Sequence, residues 1–229
     1  MNDSLLADPL FGSVLTLGAY AAAIWIYRKI SWLHPLISAP LLVYLSLQLG
    51  DISFETYKIG GDLISFFLGP ATVAMAVPLY KHAMRLRSML PSLLLGAFVG
   101  SAAGLLVNGA CVLLFSGTDE FLRSALPKSV TAAVAVDLSS WLGGSPGLTA
   151  ALTVLTGLFG SVTGPWLLRL CGVKDRISAS IAIGAAAHGI GSARLMAESE
   201  EQGGLGGFAM AASAVFTPVL LLPVHAWLL

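Results

Sequence analysis

Lys128 directly follows Pro127 and precedes Ser129 and Thr131 at the head of an apolar run. A helix beginning there gathers free backbone N–H groups, hydroxyls and an ammonium, which together suit a small anion. A charge at the centre of a spanning helix costs at least about 2.5–3.5 kcal/mol on insertion scales, so such a residue is a functional candidate by default. The alternative puts Lys128 at an interface near Arg123, its ammonium snorkelling to water. A second proline-bearing break, Gly69-Pro70-Ala71-Thr72, carries no charge but offers amides and the Thr72 hydroxyl. If the two breaks face one cavity, one supplies charge and the other hydrogen bonds.

A third group surrounds His188 in Ala185-Ala186-Ala187-His188-Gly189-Ile190-Gly191-Ser192-Ala193-Arg194. Imidazole titrates near neutral pH, which suits proton-coupled transport; a buried imidazole bonded to a backbone carbonyl is an equally good account. The glycines loosen the helix after His188, and Gly191 and Ser192 join the candidate substrate-binding set. Arg194 is placed to clamp a carboxylate through two parallel hydrogen bonds, or to pair with Glu198 one turn on. Asp137 is read as a partner of Lys128, as a proton-coupling group alongside His188, or as the end of a short membrane segment. No histidine pair has metal-ligand spacing, Cys111 and Cys171 stand alone, and no serine sits in a G-x-S-x-G context. No enzyme, metal or cofactor is expected.

The elements that must position these residues repeat. Thr72-Val73-Ala74-Met75-Ala76-Val77-Pro78-Leu79 returns as Thr131-Ala132-Ala133-Val134-Ala135-Val136-Asp137-Leu138, identical at five of eight positions. Gly100-Ser101-Ala102-Ala103-Gly104 returns as Gly160-Ser161-Val162-Thr163-Gly164. Paired, interrupted apolar segments point to a transporter's substrate site, because broken backbone at membrane depth persists only where protein or water satisfies it. The first repeat is read over about 60–115 and the second over about 119–170. Whether they run parallel or inverted stays open. Small residues at 96, 100 and 104 make a smooth stripe, either for tight packing within the chain or for contact with a second copy or a partner subunit.

Of 229 residues, 56% are apolar and 10% charged, with mean hydropathy +0.85. A soluble chain is nearer ~25% charged, so residues 1–229 are read as a single integral membrane domain, all-α and polytopic. A net charge of zero with no basic block excludes a nucleic-acid partner. The basic clusters at 28–29, 81–87 and 169–176 are expected on the cytoplasmic side, and the acidic connections 51–58, 118–123 and 198–202 on the other. That scheme predicts about seven spans, near 10–27, 33–50, 61–80, 89–115, 147–168, 178–196 and 204–228. It adds a broken or re-entrant segment at about 124–143 and leaves the C-terminus inside. The first apolar run has no basic residue before it and is expected to be a retained helix, not a signal peptide.

Three ordered motifs resemble the LrgB/CidB family: the block from Phe67 through Gly69-Pro70-Ala71-Thr72 to Lys81; Leu126-Pro127-Lys128-Ser129-Val130-Thr131 followed by Leu142-Gly143-Gly144-Ser145-Pro146-Gly147; and His188-Gly189-Ile190-Gly191-Ser192-Ala193-Arg194. The last is similar to the family's H-A-I-G-T-A-[KR], with Gly189 and Ser192 as departures, and Asp137 stands where the family more often has Glu. The resemblance runs from about residue 35 to the C-terminus. It implies a multi-pass protein of the bacterial cytoplasmic (inner) membrane with a smaller LrgA/CidA-type membrane partner. It also implies antiholin-like or holin-like control of murein hydrolase activity and lysis. Similar plant proteins are plastid glycolate/glycerate translocators, and some bacterial pairs are linked to pyruvate uptake. The residues favour a transporter, and the resemblance implies small 2-oxo or 2-hydroxy monocarboxylates as its substrates; the alternative is a holin/antiholin-like regulator of murein hydrolase activity and cell lysis.

Overall fold

The computed structural model describes residues 8–30, 33–74, 76–81 and 87–228, apart from the side chains of Pro9, Leu68, Thr72, Pro78, Leu79, Trp227 and Leu228. Every regular element among the described residues is helical, as expected where each apolar segment must satisfy its own backbone. Among the described residues, four helices are long and apolar enough to cross a bilayer: Leu10–Lys29, Arg87–Leu114, Pro146–Leu170 and Glu200–Ala226. The chain divides into two compact units, one ending at Val73 and one beginning at Ala74.

The first unit holds α1 (Pro9–Lys29), α2 (Pro35–Leu49) and α3 (Phe54–Phe66). Asp8 caps α1 through the Leu10 amide at 2.8 Å, and Ser53 caps α3 through the Thr56 amide at 3.2 Å. Ser13 Oγ donates to the Gly60 carbonyl at 2.7 Å where α1 meets α3. The chain breaks for one residue at Phe67 and resumes as α4 (Leu68–Ala74).

The second unit comprises α5 (Ala76–Lys81), a 3₁₀ turn at Arg87–Met89, α6 (Leu90–Leu114), α7 (Asp119–Ala125), a second 3₁₀ turn at Leu126–Ser129, α8 (Ala132–Leu142), α9 (Pro146–Leu170), α10 (Arg176–Glu198) and α11 (Glu200–Leu228). Its interior mixes apolar clusters, such as Leu126, Val130, Leu142 and Leu221, with buried polar groups: Ser101, Asn108, Thr149, Thr153, Ser161 and Ser192 are each at most 6% exposed. Leu95, Leu106, Phe159 and Val215 face outward and are more than half exposed. Large exposed apolar side chains around buried polar groups suit a lipid surround, where apolar side chains gain nothing by hiding.

Two helical hairpins fill the space between the long helices. The first runs down α7, turns through Leu126–Ser129 and returns along α8. Its root is closed by Arg123 Nη1 on the Leu142 carbonyl at 2.9 Å and by the Ser145 amide on Ser124 Oγ at 2.7 Å. Thr149 Oγ1 stands 2.6 Å from Ser139 Oγ and 3.0 Å from the Ser124 carbonyl. Gly143, at φ +79°, ends α8 in the left-handed conformation that favours glycine. This hairpin covers the 124–143 segment read from sequence as re-entrant.

The second hairpin is α10 itself. His188 interrupts the helix at φ +41°, ψ −131°. Beyond it the chain folds back, so that a Cβ on Gly191 would lie 2.9 Å from Ile183 Cγ2 and 2.7 Å from Ala187 Cβ. In a continuous helix residues eight apart are separated by about 12 Å. The single span expected near 178–196 is therefore two antiparallel arms. Lys174, Asp175 and Arg176 share one pocket with Ser199, Glu201 and Gln202, and Lys81 Nζ lies 2.6 Å from Glu200 Oε1. The acidic 198–202 connection thus sits at the same end of the unit as the basic 174–176 connection, against expectation. The positive-inside bias counts Lys and Arg and is nearly blind to Asp and Glu, so acidity carried no information about that loop. α11 then runs to the opposite end, where the His225 ring stacks on Trp141 at 4.0 Å, which removes the expectation of a C-terminus beside 174–176. Most of the 81–87 connection lies outside the described residues.

At the shared end, Asp175 Oδ2 accepts from both the amide and the hydroxyl of Ser178 at 2.7 Å, capping α10. These bonds hold its carboxyl below the ordinary carboxylate range.

Candidate functional site

The hairpin tips come to rest on the middle of α9. Lys128 Nζ, from the first tip, reaches Thr156 Oγ1 at 3.4 Å. His188 Nε2, from the second, is 3.0 Å from the Thr153 carbonyl. Thr153 and Thr156 are three residues apart on a helix and so share a face. The imidazole lies against Gly157, where a Cβ would stand 2.6 Å from His188 Cε1. Glycine at 157 is what admits the ring.

α6 braces the first hairpin at its tip and the second along its first arm. Asn108 Nδ2 donates to the Leu126 carbonyl at 3.3 Å and to Ser129 Oγ at 3.2 Å. The small-residue stripe of α6 takes both hairpins in turn: positions built out from Gly96 and Gly100 meet Ile181 and Ala185, and one from Gly104 meets Ser129. The matching stripe of α9 takes the first arm of α10, with Ala187 over Gly160 and Ile183 over Gly164. Both stripes serve close packing within the chain.

Among the sequence candidates, Pro127 is buried beneath the first tip. Thr131 stands at the start of α8 with no side-chain cap bond, its carbonyl accepting from the Ala135 amide at 2.8 Å. Gly191 permits the fold-back, and fully buried Ser192 donates its hydroxyl to the His188 carbonyl at 2.8 Å. Arg194 is engaged elsewhere: Nη1 donates to the Ser161 carbonyl and, at 3.3 Å, to that of Val162, while Nε meets Glu198 Oε1 at 3.3 Å. Pro165 has no N–H to offer Ser161, so Arg194 supplies the donor that the helix lacks. Asp137 is exposed on α8 and forms no ion pair with Lys128 among the described residues.

Gly69, Pro70, Ala71 and Thr72 belong to α4, in the first unit. The Ala71 amide donates to the Phe67 carbonyl at 2.9 Å, so it is already used within the chain; the Thr72 side chain lies outside the described residues. Residues missed by sequence reasoning are Thr153, Thr156 and Asn108. Thr153 is fully buried and its Oγ1 has no hydrogen-bond partner among the described residues. The available signal was the Thr153-x-x-Thr156-Gly157 spacing, polar on one face of an otherwise apolar span.

The model of a family described as LrgB-like matches residues 16–227. The uncharacterized protein YxaC of Bacillus subtilis (strain 168) is 32% identical over 189 residues, covering 82% of each chain. The antiholin-like protein LrgB of Bacillus cereus (strain B4264) is 30% identical over 216 residues, covering 93% of this chain and 94% of that one. No solved structure matches the chain.

Proposed function

The chain belongs to the LrgB-like family, and from that premise we propose that it is a bacterial cytoplasmic-membrane transporter of small 2-oxo or 2-hydroxy monocarboxylates. The observation that carries the reading is the pair of hairpins that enter the second unit from opposite ends and set Lys128 and His188 on one stretch of α9. A polar, interrupted backbone at mid-helix depth is expensive in a bilayer, and substrate handling is the use such segments are put to in secondary transporters. In the membrane the second unit then makes three full crossings, α6, α9 and α11, with one re-entrant hairpin from each face. The 174–176 and 198–202 ends face the cytoplasm. The small LrgA/CidA-type protein is the proposed partner.

A second reading, direct control of lysis as an antiholin, is favoured by the name of the Bacillus cereus relative, antiholin-like protein LrgB. It calls for oligomerising helices and no solute site. The glycine stripes that would serve an oligomer are occupied by the chain's own hairpins, which supports transport over it.

Purified protein in sealed liposomes, with and without the small partner, separates the two. Saturable uptake of labelled pyruvate, lactate or glycolate is expected. Vesicles that take up none of the three in either condition would sink the transport reading.

A further inference from the structure

The two hairpins occupy equivalent places in the sequence. Gly100 and Gly160, on α6 and α9, are sixty residues apart, and so are Lys128 and His188 at the tips. α6 and α9 run in opposite directions: Met89, at the head of α6, lines a cleft with Asp175, beyond the tail of α9. The hairpin following each helix therefore enters from the opposite end. The tips meet on the turn holding Thr153, whose hydroxyl is fully buried and has no partner among the described residues. A buried hydroxyl left unmade is unfavourable, and a helical threonine ordinarily bonds the carbonyl four residues back; this one does not. The cleft, of about 450 Å³, runs between α6 and the first arm of α10 from Asp175 up to Ala186, two residues short of His188. The root of the other hairpin is closed by the bonds of Ser124, Ser139 and Thr149.

We propose that the turn carrying Thr153 and Thr156, with Lys128 from one tip and His188 from the other, is the carboxylate-binding site, and that the two hairpins are its two gates. This rests on the transport reading and deepens it. The Thr153 hydroxyl donates to one carboxylate oxygen, and the Lys128 ammonium, now on Thr156, turns to the other. The α10 hairpin parts from the α6 stripe along this cleft to open the Asp175 end. The α7–α8 hairpin opens the opposite end by releasing its root. Alternating access then needs no rotation of α9, which serves as the common floor.

Thr153→Val tests the site, since it keeps shape and removes only the unpartnered hydroxyl. The variant is expected to keep or raise the Tm of the purified protein while its KM for labelled pyruvate, lactate and glycolate rises about tenfold or more, as for a lost bond to a charged group. The gates are tested by single cysteines at Ser129 and Gly189 in a Cys111→Ser, Cys171→Ser background, checked for monodispersity and labelled with an impermeant thiol reagent. Gly189→Cys should react only from the face that bears Asp175 and Ser129→Cys only from the other, and the transported acid should slow both. Wild-type uptake combined with an unchanged KM in Thr153→Val, or both cysteines reacting from one face, overturns the site and leaves the transport reading standing. Absence of uptake by the wild type overturns both.

Discussion

In the sequence Arg194 suits a substrate clamp or a partner of Glu198; it pairs with Glu198 at 3.3 Å, and its guanidinium also serves a fault in the neighbouring helix. Pro165 leaves the Ser161 carbonyl without its helical donor, and Arg194 crosses from α10 to satisfy it. In a medium without water such a carbonyl would otherwise stay unpaired, at a cost of about 1–3 kcal/mol. Arg194→Ala should therefore destabilise the protein by roughly that amount, and Pro165→Ala should restore most of the loss by returning the missing N–H. Thermal unfolding of the two single variants and the double variant measures the coupling; additive losses would detach Arg194 from the proline. Lys128 and His188 were legible because a cation and an imidazole stand out in an apolar run. Thr153 and Thr156 were not, since threonine is an ordinary resident of spanning helices and their spacing is a weak signal; the unpartnered hydroxyl singles out Thr153 and the Lys128 ammonium singles out Thr156.

At the scale of the element, the glycine stripes of α6 and α9 were readable from spacing alone, but their unequal tightness was not. A Cβ at Gly160 would stand 2.9 Å from Ala187 Cβ, whereas one at Gly100 would make ordinary contact with Ala185 at 3.4 Å. Gly160→Ala should therefore cost about 1–3 kcal/mol through overpacking. Gly100→Ala should be neutral or gain up to about 1 kcal/mol from helix propensity. Denaturation in detergent reads the difference, and equal losses at both positions would contradict the packing described. The hairpin within α10 was hidden for a related reason. Residues 178–196 are apolar or small apart from His188 and Arg194 and are long enough to cross, and a glycine after a histidine does not announce a reversal. The reversal is set by what receives it: the first arm lies on Gly160 and Gly164, the second against Gly206 near Ser192, and α11 approaches so closely that a side chain on Gly184 would run into the Gly206 backbone.

For the whole molecule, helical class and membrane residence followed from composition, while topology failed where acidic residues were taken to mark the outer side. Single cysteines at 174 and 200 should react with an impermeant reagent from the same side of the membrane, and one at 145 from the opposite side. Labelling of 174 and 200 from different sides would restore a full crossing over 178–196 and dismantle the second hairpin.

The level at which the tips meet α9 also has an electrical meaning. Thr153, Thr156 and Gly157 lie near the midpoint of Pro146–Leu170, so a monoanion held there has crossed roughly half of the membrane voltage. Since a full crossing is worth about 2.3 kcal/mol per 100 mV, the half crossing is worth roughly 1 kcal/mol. With the cell interior negative, that work opposes an anion entering from outside and assists one leaving. The fixed cation of Lys128 bears the same field in the opposite sense, and together the two make a pair that the voltage scarcely pulls.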